Sequence, residues 1–227
     1  MDWAPLFISL RAAVMATFFA LLTGLPAAWA VVLLQSKIKH RRTANLSGIL
    51  DGIFTLPLVL PPTVLGFFLL CIFGTKSPAG RVLAAIGIKI VFNWKATVIA
   101  AAVVAFPLAY RTVRASFEQI DPSILNAART LGLSEQRIFT HIMIPSALPG
   151  VGAGTILAFA RALGEFGATL MLAGDIPGRT ETIPIAIWSA SYGGDMQKAL
   201  IWVVIIVAIS FICIMAMNIF CAGANQK

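Results

Sequence analysis

The chain has 227 residues, of which 59% are hydrophobic and 11% charged, a balance too apolar for a soluble domain of this length and expected of an integral membrane protein. The net charge of +8 does not indicate nucleic acid, because the basic residues are scattered at the ends of apolar runs, where they orient and anchor spans. Three cysteines (Cys71, Cys213, Cys221) without C-x-x-C spacing and two separated histidines (His40, His141) imply neither a metal site nor a disulfide framework.

Residues 12–36 are uncharged over 25 positions, enough to cross a hydrocarbon core that takes about 20 residues. This first span does not read as a cleavable signal, since the chain starts with Asp2 instead of a basic cluster and the apolar run is too long. Ala12, Ala16, Ala20, Gly24 and Ala28 recur every fourth residue, a small-residue stripe that lets a second helix approach closely. Lys37, Lys39, Arg41 and Arg42 then mark the cytoplasmic side, which puts the amino terminus outside. The second apolar run, residues 52–75, contains Leu56-Pro-Leu-Val-Leu-Pro-Pro62. Prolines there, Pro61 and Pro62 above all, leave backbone carbonyls to be satisfied by neighbours or by water, so a kinked or broken helix is predicted. It serves either as a packing kink or as a wall of a translocation path.

Residues 76–95, with Lys76, Arg81 and Lys89, are assigned to the outside, as an interfacial helix or a poorly formed extra span. Residues 96–110 form the third span, extended by the snorkelling of Lys95 and Arg111 and striped by Ala101, Ala105 and Ala109. Arg111 and Arg114 mark the return to the cytoplasm. Residues 121–145 then read as two short helices around a glycine. Asp121 caps the first, Pro122 starts it, and Gly132 takes the left-handed position that ends it. Ser134 caps the second. Leu125, Ala128 and Leu131 make one apolar face and Ile138, Phe139, Ile142 and Met143 the other, which leaves Asn126, Arg129 and Arg137 free for a partner.

Asn126-Ala127-Ala128, Gly132 and Ile142 to Pro145 together resemble the cytoplasmic loop signature of binding-protein-dependent ABC importer permeases, Glu-Ala-Ala, three residues, Gly, nine residues, Ile-x-Leu-Pro. The chain departs from it at Asn126, where the family has Glu, and at Ile144, where it has Leu. The resemblance implies that Asn126, Ala127, Ala128, Arg129, Gly132, Ile142 and Pro145 couple the spans to an ATPase. Without it, the segment would be a helical hairpin joining two spans.

The fourth span begins near residues 146–149 and carries Gly150, Gly154, Ala158 and Ala162 at every fourth position. Its middle places Arg161 and Glu165 one turn apart on one helix face. Charges in a span mark function by default, yet at this spacing they can neutralise one another, and a structural pair is the favoured reading. Arg161 is the only cation well inside a predicted span, so no tight anion site is expected of the chain alone. An external loop (174–184) could meet an extracytoplasmic partner, and residues 199–226 form a fifth span with an inside carboxyl terminus.

The stretch Phe159-Ala-Arg-Ala-Leu-Gly-Glu-Phe-Gly-Ala-Thr169 resembles the oxyanion branch of the same permeases, those for molybdate and sulfate. The runs 56–62 and 176–184 resemble the molybdate permeases more than the sulfate ones. The resemblance implies an all-α, type I importer permease with about five transmembrane helices, one membrane domain over residues 1–227 and a coupling loop at 121–145. It further implies a bacterial inner-membrane location, a second copy of the chain, a cytoplasmic ABC ATPase dimer that holds the ATP, and an external oxyanion-binding protein. Sulfate or thiosulfate, or tungstate, is the alternative cargo. No G-x-x-x-x-G-K-[ST] loop occurs in the sequence, so neither ATP hydrolysis nor a resident cofactor is expected of this chain. An intramembrane enzyme would need facing catalytic groups, and a self-sufficient channel a filter or an acidic ring; neither pattern is present. The site residues drawn from this reading are the loop set above and, for the path or an interface, Pro61, Pro62, Arg161 and Glu165.

Overall fold

Small residues set the core of this protein. The structure, a computed structural model, describes residues 2–36 and 41–224, and among these every regular element is helical. Lys37 and Lys39 of the basic cluster, and Lys227, lie outside the described residues. In chain order the elements are α1 (Ala4–Ser36), α2 (Arg41–Val59), α3 (Pro62–Phe73), α4 (Pro78–Ala85), α5 (Trp94–Glu118), α6 (Pro122–Thr130), α7 (Glu135–Ile138), a π-helical turn (Phe139–Met143), α8 (Ile144–Ser146), α9 (Leu148–Leu163), α10 (Gly167–Ala173), α11 (Ile183–Tyr192) and α12 (Met196–Ala224).

The three predicted small-residue stripes face one another. Ala13, Ala16 and Ala20 of α1, Ala101, Ala105 and Ala109 of α5, and Ala158 and Ala162 of α9 form one buried cluster. A Cβ on Gly24 would lie 3.3 Å from the Tyr110 backbone nitrogen, and one on Gly154 would lie 3.3 Å from Thr112 Cβ. With side chains this small the backbones come close enough for dispersion to hold them, which matters where lipid removes most of the hydrophobic drive. Around this triangle, α12 packs on α9 and α11, α2 packs on α5, and α3 packs on α10.

Among the described residues three helices are individually long and apolar enough to span a bilayer, Ala4–Gln35, Trp94–Glu118 and Met196–Ile219, and bent helix pairs bring the number to as many as five. The second apolar run is not one kinked helix. It is two helices turned by 112°, with Pro61 as N-cap and Pro62 as first residue of α3, because neither proline can donate a hydrogen bond back into α2. The third span, α5, runs past Tyr110 to Glu118, so Arg111 and Arg114 sit on it. Between α3 and α5 the only helix is α4, whose eight residues rise only about 12 Å; it is too short for an extra span. Ser77 caps it by accepting from Gly80 N at 2.8 Å. The fourth span is also discontinuous, since α9 stops at Leu163 and α10 resumes at Gly167.

Candidate functional site

One end of the bundle carries residues 121–145. Asp121 accepts from Ser123 N at 2.8 Å, and this bond lowers its carboxyl pKa below the ordinary value. After Thr130 the chain turns through Gly132 at φ +81°. Gly132 N then donates to Arg129 O at 3.0 Å and Leu133 N to Ala128 O at 3.1 Å, which satisfies the carbonyls left at the end of α6. Ser134 caps α7 through Arg137 N. The helical segment then widens into the π turn just before Pro145, the residue that cannot donate to the carbonyl four positions back.

The second loop helix buries its predicted face: Ile138 and Met143 are buried, and Phe139 and Ile142 pack against the same cluster. Phe139 stacks on Trp29 of α1 at 4.7 Å and meets Phe117 of α5 edge-on at 6.0 Å, so the loop is seated on two spanning helices. The first loop helix departs from expectation. Ala128 is buried, but Leu131 is 82% exposed and Ile124 51%, which leaves an apolar surface facing outward. Arg129 is not free for a partner: it pairs with Glu135 through two hydrogen bonds of 2.8 and 3.3 Å and donates to Asn126 Oδ1 at 3.1 Å. The bond to Glu135 raises its pKa. With Asn at position 126, the Arg129 guanidinium finds its carboxylate in α7 and braces the two loop helices together. Of the remaining loop residues, Arg137, Ala127 and Pro145 are exposed.

Arg161 and Glu165 do meet, at 2.9 Å, but not on one continuous helix. Arg161 closes α9, whereas Glu165 lies beyond its end, in the break before α10. Glu165 is 2% exposed, and its other carboxylate oxygen accepts from Ala168 N at 2.8 Å, in the first turn of α10. It therefore holds the two halves of the broken span together, through a charge on one side and a backbone hydrogen bond on the other. Pro62 lies beside the same break: a Cβ on Gly167 would come 3.1 Å from Pro62 Cβ. The break at Pro62 thus adjoins Gly167, two residues after Glu165.

A third polar group was missed by sequence reasoning. Asp51 of α2 accepts from Tyr110 Oη at 2.9 Å and pairs with Arg114, whose Nε also donates to Glu118 at 2.7 Å. The signal was a lone acid at the mouth of the second apolar run. Among the described residues no group of acidic, His and Cys side chains could hold a metal ion.

A family model described as the binding-protein-dependent transport system inner membrane component matches residues 39–222. The putative molybdenum transport system permease protein YvgM of Bacillus subtilis (strain 168) is 52% identical over 164 residues, covering 72% of each chain. The molybdenum transport system permease protein ModB of Escherichia coli (strain K12) is 41% identical over 201 residues, covering 87% of this chain and 84% of that one. Among solved structures, a chain of the MetNI methionine ABC transporter in an inward-facing conformation superposes with a TM-score of 0.73 at 17% identity, covering 97% of this chain and 94% of that one. A chain from a bacterial ABC transporter that imports alginate superposes with a TM-score of 0.69 at 13% identity, covering 97% and 80%. These two likenesses concern the fold, and they extend through α1.

Proposed function

The chain belongs to the family of binding-protein-dependent transport system inner membrane components, and from that membership we propose that it is the permease subunit of a molybdate importer. The observation that carries the cargo is the 52% and 41% identity to molybdenum transport permeases. A pair of these chains spans the cytoplasmic membrane, with the amino terminus outside and residues 121–145 and the carboxyl terminus inside. An ABC ATPase dimer docks on the loop, and an external binding protein delivers the anion.

The loop geometry supports this division of labour. Exposed Leu131 and Ile124 offer the ATPase an apolar surface, the Arg129 to Glu135 bridge keeps the two loop helices rigid, and Phe139 transmits their movement to α1 and α5 by stacking. The spans themselves supply two breaks, at Pro61 and at Glu165, where a path can open between packed helices. Energy enters as ATP binding in the partner subunits, and this chain contributes alternating access without chemistry of its own.

Proteoliposomes containing the permease, the ATPase and the binding protein should take up molybdate in an ATP-dependent way, with tungstate competing and sulfate competing weakly. Uptake of sulfate in preference to molybdate would reassign the cargo; ATP-independent uptake would remove the importer reading.

A further inference from the structure

At the end of the bundle opposite the loop, the start of α1, the start of α5 and the turn before α11 enclose a cavity of about 410 Å3. Arg11, Asn93, Trp94, Thr97 and Arg179 line it, and no carboxylate does. The Arg11 guanidinium carbon sits 4.4 Å from the Trp94 ring centroid. The ring steadies the cation but gives its N–H groups no oxygen acceptor. Among the described residues the ion-paired arginines are Arg114, Arg129 and Arg161; Arg11 and Arg179 are not among them. Asn93 Oδ1 accepts from Lys95 N at 3.3 Å, which leaves the amide NH2 as a donor.

The two cations are held in register by the backbone. Arg179 N and Thr180 N both donate to Ile176 O, at 3.0 and 2.9 Å. Buried Thr180 accepts from Ile176 N at 3.1 Å and donates to Gly174 O at 3.0 Å. Past this braced turn, Ile183 N donates to Ser9 Oγ at 2.7 Å, two residues before Arg11 on α1. The turn that carries Arg179 is therefore tied to the helix that carries Arg11.

We propose that this cavity is a low-affinity site for a free tetrahedral dianion, where an oxyanion released at the outer face rests before it moves between the helices. The inference builds on the importer reading above and adds a place for the anion on this chain. Two unpaired guanidinium groups match a charge of minus two, and the amide and hydroxyl donors suit tetrahedral oxygens. Exposure of both arginines to solvent keeps binding weak through screening, which suits a site that must release its ligand. A lipid phosphodiester offers the same oxygens but a single charge.

The test is a molybdate titration of the assembled transporter in phosphatidylcholine nanodiscs, at constant ionic strength in chloride. Binding is read from tryptophan emission, with Trp94→Phe as the blank. A saturable change absent from the blank is expected, with half-saturation rising about tenfold in Arg11→Gln and in Arg179→Gln and unmoved in Arg81→Gln, an equal charge change outside the cavity. A change that does not saturate, or a half-saturation that neither glutamine variant moves, overturns the proposal. So does a response that requires phosphatidylglycerol and resists displacement by molybdate, which assigns the cavity to a lipid headgroup. Molybdate uptake by the wild-type transporter is measured alongside. Saturable binding without uptake discards the importer reading and keeps the site; uptake without saturable binding discards the site alone.

Discussion

Replacing Glu165 by alanine removes two different interactions from one buried position. Ala168 is fully buried, so its N–H would lose its acceptor at a cost of about 1–3 kcal/mol. Arg161 would lose its only described partner. Because the Arg161 side chain is 30% exposed, that loss falls below the roughly 3–5 kcal/mol of a fully buried pair, at about 1–2 kcal/mol. Together these give about 3 kcal/mol, which for a chain of this size lowers Tm by roughly 6–12 °C. Glu165→Gln keeps an amide oxygen for Ala168 N and loses only the charge, so its Tm should fall by about 2–4 °C for roughly 1 kcal/mol. Exchanging the two residues, Arg161→Glu with Glu165→Arg, restores opposite charges but puts a side chain with no acceptor beside Ala168 N. Little rescue is therefore expected, although a simple one-turn charge pair on a single helix would predict it. Thermal unfolding of the three variants beside the wild type in nanodiscs measures this directly. If the exchange recovers wild-type Tm, or Glu165→Gln costs as much as Glu165→Ala, the helix-joining role of Glu165 is refuted.

Gly132→Val should insert normally, because a Cβ there meets no atom within 4 Å, yet its φ of +81° strains a β-branched residue by roughly 1–2 kcal/mol; binding-protein-stimulated ATP hydrolysis and uptake should fall, and wild-type rates would remove this glycine from coupling. Gly66→Ala should push α3 from α10, since its Cβ would come 2.7 Å from Met171 Cβ and 2.8 Å from Ala168 Cα; a loss of about 1–3 kcal/mol, read by thermal unfolding, is expected. Glu181→Gln should stabilise the outer face at pH 7. Burial first, then Asp175, raises the Glu181 carboxyl above its ordinary 4.5, so the stability its protonated form contributes is complete below that value and is lost as pH rises through the raised one. The Tm advantage of the glutamine variant should therefore vanish below pH 4.5, and an advantage that persists there would refute burial as the cause.

The loop was readable because its signals are local. Asp121, Pro122, Gly132 and Ser134 act through backbone atoms within a few residues of themselves, so spacing along the chain suffices to place them. The same holds for the small-residue stripes, where helical periodicity puts Ala101, Ala105 and Ala109 on one face before any partner is known. Spacing also brought Arg161 to Glu165, but neither source reveals which polar groups find one another across a turn or between helices. Arg129 pairs with Glu135 only because the turn at Gly132 folds α7 back toward α6. Leu131 is exposed because that turn leaves it outside the contact with the bundle.

From the order of residues alone came the membrane class, the spanning runs, the loop and its caps, and the family resemblance, since each rests on composition or on short-range repetition. The prolines foretold a kinked or broken second span, but the tertiary structure alone decided that it turns by 112° and that the fourth span is broken as well. It also decided that Glu165 closes one of those breaks, that Asp51 answers Tyr110 and Arg114 from 59 and 63 residues away, and that Arg11 and Arg179 share a cavity. The reason is physical: a charge or a proline in an apolar run carries a cost that many partners could offset. Only the packing of distant helices selects which one does.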